Sequence, residues 1–130
     1  MIGILRSSEE LLRKRLNSEL RSGEEFVTGA AGRTKVRFVP QSLSLTGYYV
    51  ALTTERVLVF YFDRATSSPG KLYRGLERSD ISPDEIWINY QKTSLHIVMR
   101  KQGEELFNLV FRGREKRLAV KLAECIKHGS

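Results

Sequence analysis

Residues Tyr48–Phe62 read YYVALTTERVLVFYF, two apolar strings parted by Thr53, Thr54, Glu55 and Arg56. Each string is rich in β-branched and aromatic residues, and the polar tetrad between them predicts a hairpin, Tyr48 to Leu52 and Val57 to Phe62. The connection lacks an Asn-Gly type of dipeptide, so a loop of about four residues is expected. A strand with one wet face alternates apolar and polar residues, and the second string does not alternate. The hairpin therefore needs cover on both faces.

Outward from it, the chain reads as helix, about seven strands, helix. Ser7 to Ser22 has capping-box spacing at Ser7 and Glu10, a stop at Gly23, and a narrow stripe of Leu12, Leu16 and Leu20. Strands are expected at Glu25 to Ala30, which Arg33 to Val39 extends or follows as a second piece, and at Leu72 to Leu76, Glu85 to Tyr90, Ser94 to Arg100 and Glu105 to Phe111. Arg64 to Gly70 reads as a flexible loop. Arg114 to Lys127 carries Leu118, Leu122, Cys125 and Ile126 at helical spacing. Such a series predicts a mainly β domain, a bent sheet or open barrel with one end plugged. Residues 1–23 form the N-terminal helical segment and 24–130 the domain proper.

The 130 residues carry a net charge of +7, with 41% hydrophobic content and one cysteine. That length suits one domain. No run approaches the ~20 apolar residues of a membrane span. The start MIGILRSSEE has too short an apolar block for a secretory signal. A lone cysteine allows no internal disulfide, and Cys125 reads as a small buried hydrophobe. A cytoplasmic location, peripheral at the membrane, is the expectation. The charge is spread along the chain, so a basic surface must be assembled by folding.

Chemistry-bearing residues are few. His96 sits in a strand without a nucleophile motif, and His128 is in a terminal tail. No His, Cys or Asp set has metal-ligand spacing. TGAAGRT lacks the features of a phosphate loop or dinucleotide fingerprint. A non-catalytic chain with no cofactor is expected. Nucleic acid is not expected as a partner, because most aromatics belong to the hairpin, Trp87 and Tyr90 excepted.

The hairpin also carries a resemblance. Leu52, Thr53 and Arg56, continued by Leu58 and Phe60, resemble the second and third strands of pleckstrin-homology-like (PH-like) domains, bacterial PH and GRAM types included. The element order from about Glu24 to Ile126 fits the same outline. The resemblance implies a partly open barrel of about seven antiparallel strands closed by the C-terminal helix. Val50, Leu52, Leu58, Phe60 and Phe62 would then point inward, with Leu118 and Leu122 of the helix. Tyr49, Ala51, Val57, Val59 and Tyr61 would face out, covered by the N-terminal helix, a second copy of the chain or another partner.

It also implies binding surfaces. The loops after the first, third and sixth strands share one rim, which would hold Arg33, Lys35, Arg37, Arg64, Lys71, Arg100 and Lys101. The run Lys35-Val36-Arg37-Phe38-Val39 resembles a piece of phosphoinositide-binding PH domains. That rim suits an anionic membrane surface, such as acidic phospholipid headgroups, or an acidic protein partner. Peptide-binding relatives use the groove between the fifth strand and the last helix, which nominates Trp87 and Ile88. Arg112, Arg114, Lys116 and Arg117 form a further basic cluster, expected at the pole opposite the rim.

Overall fold

The computed structural model of the chain describes residues 7–34 and 47–128. Helix α1 (Ser8–Leu16) is followed by strands β1 (Phe26–Thr34), β2 (Gly47–Thr53), β3 (Arg56–Asp63) and β4 (Ser68–Glu77). Two single 3-10 turns, Arg78–Asp80 and Pro83–Glu85, lead to β5 (Ile86–Tyr90), β6 (Ser94–Lys101), β7 (Glu104–Arg112) and helix α2 (Arg114–His128). Among the described residues no helix is long and apolar enough to cross a membrane.

The strands make one antiparallel sheet in the order β4-β3-β2-β1-β7-β6-β5. Its two halves are joined by the pairs Arg33↔Val110 and Thr34↔Leu109. The sheet folds over on itself, so that Val57, Val59 and Leu76 share a core with Ile97, Met99 and Phe107. The Arg74 guanidinium donates to the Glu105 carbonyl at 2.9 Å where the halves meet. Helix α2 plugs this core with Ala119, Leu122, Ala123 and Ile126. Leu118 and Cys125 pack against it half-buried.

The second face of the hairpin has its cover. Tyr49, Ala51, Leu58 and Phe60 pack beneath Leu12 and Leu16 of α1 in a separate core. That removes the reason for placing a second copy of the chain on this face. The approach is close: a Cβ at Gly29 of β1 would lie 2.4 Å from Leu12 Cδ1 and 2.6 Å from the Val50 carbonyl oxygen. Only a residue without a side chain lets α1 seat there.

The inward set expected for β3 is corrected. The ladder closes at Leu52↔Val57 and continues Val50↔Val59. Residues directly opposite share a face, and a slip of one residue exchanges the faces. Val57 and Val59 therefore join Val50 and Leu52 in the barrel, while Leu58, Phe60 and Phe62 turn to the α1 side. The connection is shorter than expected: both strands run into the polar tetrad, and only Thr54 and Glu55 lie between them. Thr53 Oγ1 organises it, accepting from the Glu55 and Arg56 amides at 3.1 and 2.8 Å.

Two further boundaries differ from expectation. Helix α1 stops at Leu16 instead of Ser22, where the bonding tightens to a three-residue spacing, the Asn17 amide donating to the Lys14 carbonyl and the Glu19 amide to the Leu16 carbonyl. Its start is as read, with Ser7 Oγ accepting from the Glu10 amide at 3.1 Å. Of the two possibilities for Arg33 to Val39, the described part, Arg33 and Thr34, extends the first strand. Ser68, Pro69 and Gly70, expected in a loop, open β4, an edge strand where proline is tolerated.

Candidate functional site

Strand direction decides which loops meet. In this order the β1–β2, β3–β4 and β6–β7 connections leave one end of the sheet, and the β2–β3, β5–β6 and β7–α2 connections leave the other. At the first end, Arg33 is exposed near the end of β1, Arg64 in the β3–β4 turn, and Lys71 on β4. Lys35 and Arg37 lie outside the described residues.

The same end carries exposed apolar surface. Tyr61 is 44% and Leu72 40% exposed. Tyr48, Tyr61 and Tyr73 form a triangle with ring centroids 4.9–5.7 Å apart. The Arg74 guanidinium lies 4.9 Å over the Tyr73 ring. Partial burial, then the neighbouring Tyr73 and Tyr61, hold the Tyr48 hydroxyl above its ordinary pKa. This end thus combines cations with amphipathic tyrosines.

The β6–β7 corner is of mixed sign. Lys101 pairs with Asp80 at 3.6 Å, and the Glu85 carboxylate accepts from the Gln102 amide. Arg100 is exposed in a groove lined also by Asp84, Glu85, Trp87, Val98 and Gly103. Arg100 and Lys101 therefore stand among carboxylates.

The residues nominated for a partner separate. Tyr49 is buried under α1, donating from its hydroxyl to the Ser67 carbonyl at 2.9 Å. Burial pushes that hydroxyl up to about 12. Val57 and Val59 lie in the barrel core, so they offer no outer surface. Trp87 and Ile88 take opposite faces of β5, as strand neighbours must. Ile88 packs on the core, whereas Trp87 is 52% exposed with its ring edge-on to His96 at 5.0 Å. His96 is a buried sheet residue bonded to the Asn108 amide oxygen. Tyr90 is 56% exposed at the end of the strand.

One polar centre escaped sequence reasoning. Glu24 is 5% exposed. It accepts from Arg56 Nε at 2.9 Å, Arg56 Nη2 at 2.7 Å, the Thr53 hydroxyl and the Arg21 amide. Arg56 first among its partners, outweighing burial, lowers the Glu24 carboxyl to about 2. Arg21 extends the network to Glu55 and Glu77 at 3.2 and 2.7 Å. The centre ties the segment after α1 to the hairpin turn. The Thr53 and Arg56 of the hairpin motif were its only trace in the sequence.

No protein-family model matches the chain, and no curated protein matches it. Among solved structures, the chain is similar to the hSac2 domain from human phosphoinositide phosphatase Sac2. That match has a TM-score of 0.54 and 16% identity, and covers 90% of this chain and 76% of that one. A second match, the Vps36 N-terminal PH domain, has a TM-score of 0.43 and 18% identity over 84% of this chain and 80% of that one. The likeness to the hSac2 domain, at this identity, is one of fold. Seven antiparallel strands in this order, folded over one core and closed by a C-terminal helix, give the chain a PH-like fold with an added N-terminal helix.

Proposed function

We propose that the chain is a non-catalytic binding module that docks on acidic phospholipid surfaces through the end bearing Arg33, Arg64 and Lys71, with Lys35 and Arg37 of the adjoining segment. One observation carries the reading: Arg33, Arg64 and Lys71 share their end of the sheet with exposed Tyr61 and Leu72. Cations attract an anionic leaflet, and tyrosine suits the interface between headgroup and acyl chain. Arg100 and Lys101 contribute less, because carboxylates stand beside them.

Co-sedimentation with vesicles containing phosphatidylserine tests this. Binding at low salt should weaken at high salt. Reversal of Arg33, Arg64 and Lys71 to Glu should lower the affinity of this end on the order of 100-fold, at about 1 kcal/mol per cation near the surface. That loss is read directly in a background with Arg112, Arg114 and Arg117 already reversed to Glu. Absent binding at low salt, or reversal of the three that leaves binding in that background unchanged, would overturn it.

A second reading concerns peptides. The two edges of the sheet, β4 and β5, are guarded differently. β4 carries Pro69, Lys71, Arg74 and Glu77 and two register irregularities, devices that discourage pairing with another strand. β5, Ile86–Tyr90, has no charge and no proline, and exposes Trp87. An extended peptide added to β5 would place alternate side chains beside Trp87. Peptides selected from a random display library should be lost on Trp87→Glu and kept on reversal of the three cations. A library that yields no binder counts against this reading.

A further inference from the structure

The Arg112–Arg117 cluster is not used by either reading, and the fold enlarges it. The Lys116 ammonium donates to the carbonyls of Gln91 and Lys92 at 2.6 and 3.0 Å. This clip holds the β5–β6 turn against the start of α2, and brings Lys92 beside Arg112, Arg114 and Arg117. The pairing of Ser94 with Arg112 fixes the same proximity through the ladder. Lys92, Arg112, Arg114 and Arg117 are all exposed. Among the described residues none of the four has an ion-pair partner.

The one acidic residue within the cluster gives little relief. Glu115 is turned inward, where one carboxylate oxygen accepts from Ser8 Oγ and from the Ala31 amide, both at 2.7 Å. Five cations from three elements are thus held together, four of them facing water. The fixed dipole of α2 adds to the same positive field. Like charges so crowded repel one another unless an anion meets them.

The cluster sits where the β5–β6 and β7–α2 connections emerge, at the end of the sheet away from Arg64 and Lys71. Strands of about eight residues at ~3.3 Å per residue separate the two ends by roughly 27 Å. That is several times the Debye length of ~8 Å at physiological salt, so the ends act independently. We infer that Lys92, Arg112, Arg114, Lys116 and Arg117 form a second docking surface for anionic lipid, and that the molecule can hold two membranes at once.

The inference deepens the lipid reading and rests on it for the nature of the surface. Its experiment uses the full chain with vesicles containing phosphatidylserine, followed by dynamic light scattering and co-sedimentation. The wild type should cluster vesicles. The variant Arg112→Glu, Arg114→Glu, Arg117→Glu should still sediment with them but no longer cluster them. All three side chains are exposed, so its thermal melt should match the wild type. Combining these reversals with Arg33→Glu, Arg64→Glu and Lys71→Glu should abolish the remaining binding, at ~5-fold per cation.

A wild type that binds without clustering would overturn the inference. So would a cluster variant that clusters vesicles as the wild type does. If that variant loses only salt-dependent binding to duplex DNA, with vesicles unaffected, the surface belongs to nucleic acid and the inference falls. Failure of the first reading has a different signature: reversal of Arg33, Arg64 and Lys71 alone would leave vesicle binding unchanged, while reversal at α2 removes it.

Discussion

Glu24→Gln is expected to destabilise the fold by roughly 3–5 kcal/mol, the usual result of removing one partner of a buried ion pair. Glutamine keeps the shape of the side chain but cannot match the charge of Arg56, whose side chain is 13% exposed. It also presents an amide N–H₂ where the carboxylate receives only donors. For a domain of this size the melting temperature should fall by roughly 10–20 °C.

The pH dependence has a definite sign. The Glu24 carboxyl lies at about 2 in the fold against an ordinary 4.5. A lowered carboxylate stabilises the fold fully above the unfolded value, and that stabilisation is lost as pH falls through the folded value. Wild type should therefore lose about 3 kcal/mol between pH 4.5 and 2 from this group. The variant has no such group to titrate. Urea melts at pH 7, 4 and 2.5 should show the gap between the two proteins closing toward acid. A gap that stays constant would show that Glu24 acts through packing alone.

The second large effect lies at α1. Leu12 and Leu16 are fully buried, and Leu→Ala at such sites costs about 2–5 kcal/mol each. They share one small core, so the two costs will not simply add. The double variant should approach the whole stability of an ordinary domain, about 5–15 kcal/mol. If the barrel survives, α1 should detach and uncover Tyr49, Ala51, Leu58 and Phe60. Limited proteolysis should then cut within residues 8–24, and light scattering should report association. A monodisperse, protease-resistant double variant would show that α1 is dispensable to the sheet.

The sequence revealed the elements better than their faces. The apolar strings, the Ser7 cap and the spacing of α2 signal local structure, which neighbours in the chain decide. The facing of β3 was illegible for the reason that made the hairpin conspicuous. Val57 to Phe62 is apolar on both sides, so alternation carries no information about which side is in. Only the ladder, through Leu52↔Val57, distinguishes them. Glu24 was hidden because its partners Thr53 and Arg56 lie some thirty positions away, and an acidic residue after a glycine looks like any solvated turn. The basic residues were all visible as letters. Their grouping was not, since the Lys116 clip that brings Lys92 to Arg112 spans two connections.

The Ala31 amide has an unusual partner. It points away from β2 and bonds to the Glu115 carboxylate, 84 positions along the chain. Its hydrogen exchange therefore reports the docking of α2, whereas exchange of amides in the β1–β2 ladder reports strand pairing. Because Ser8 binds the same oxygen, one backbone proton in mid-strand registers whether the two helices at opposite ends of the chain are both in place.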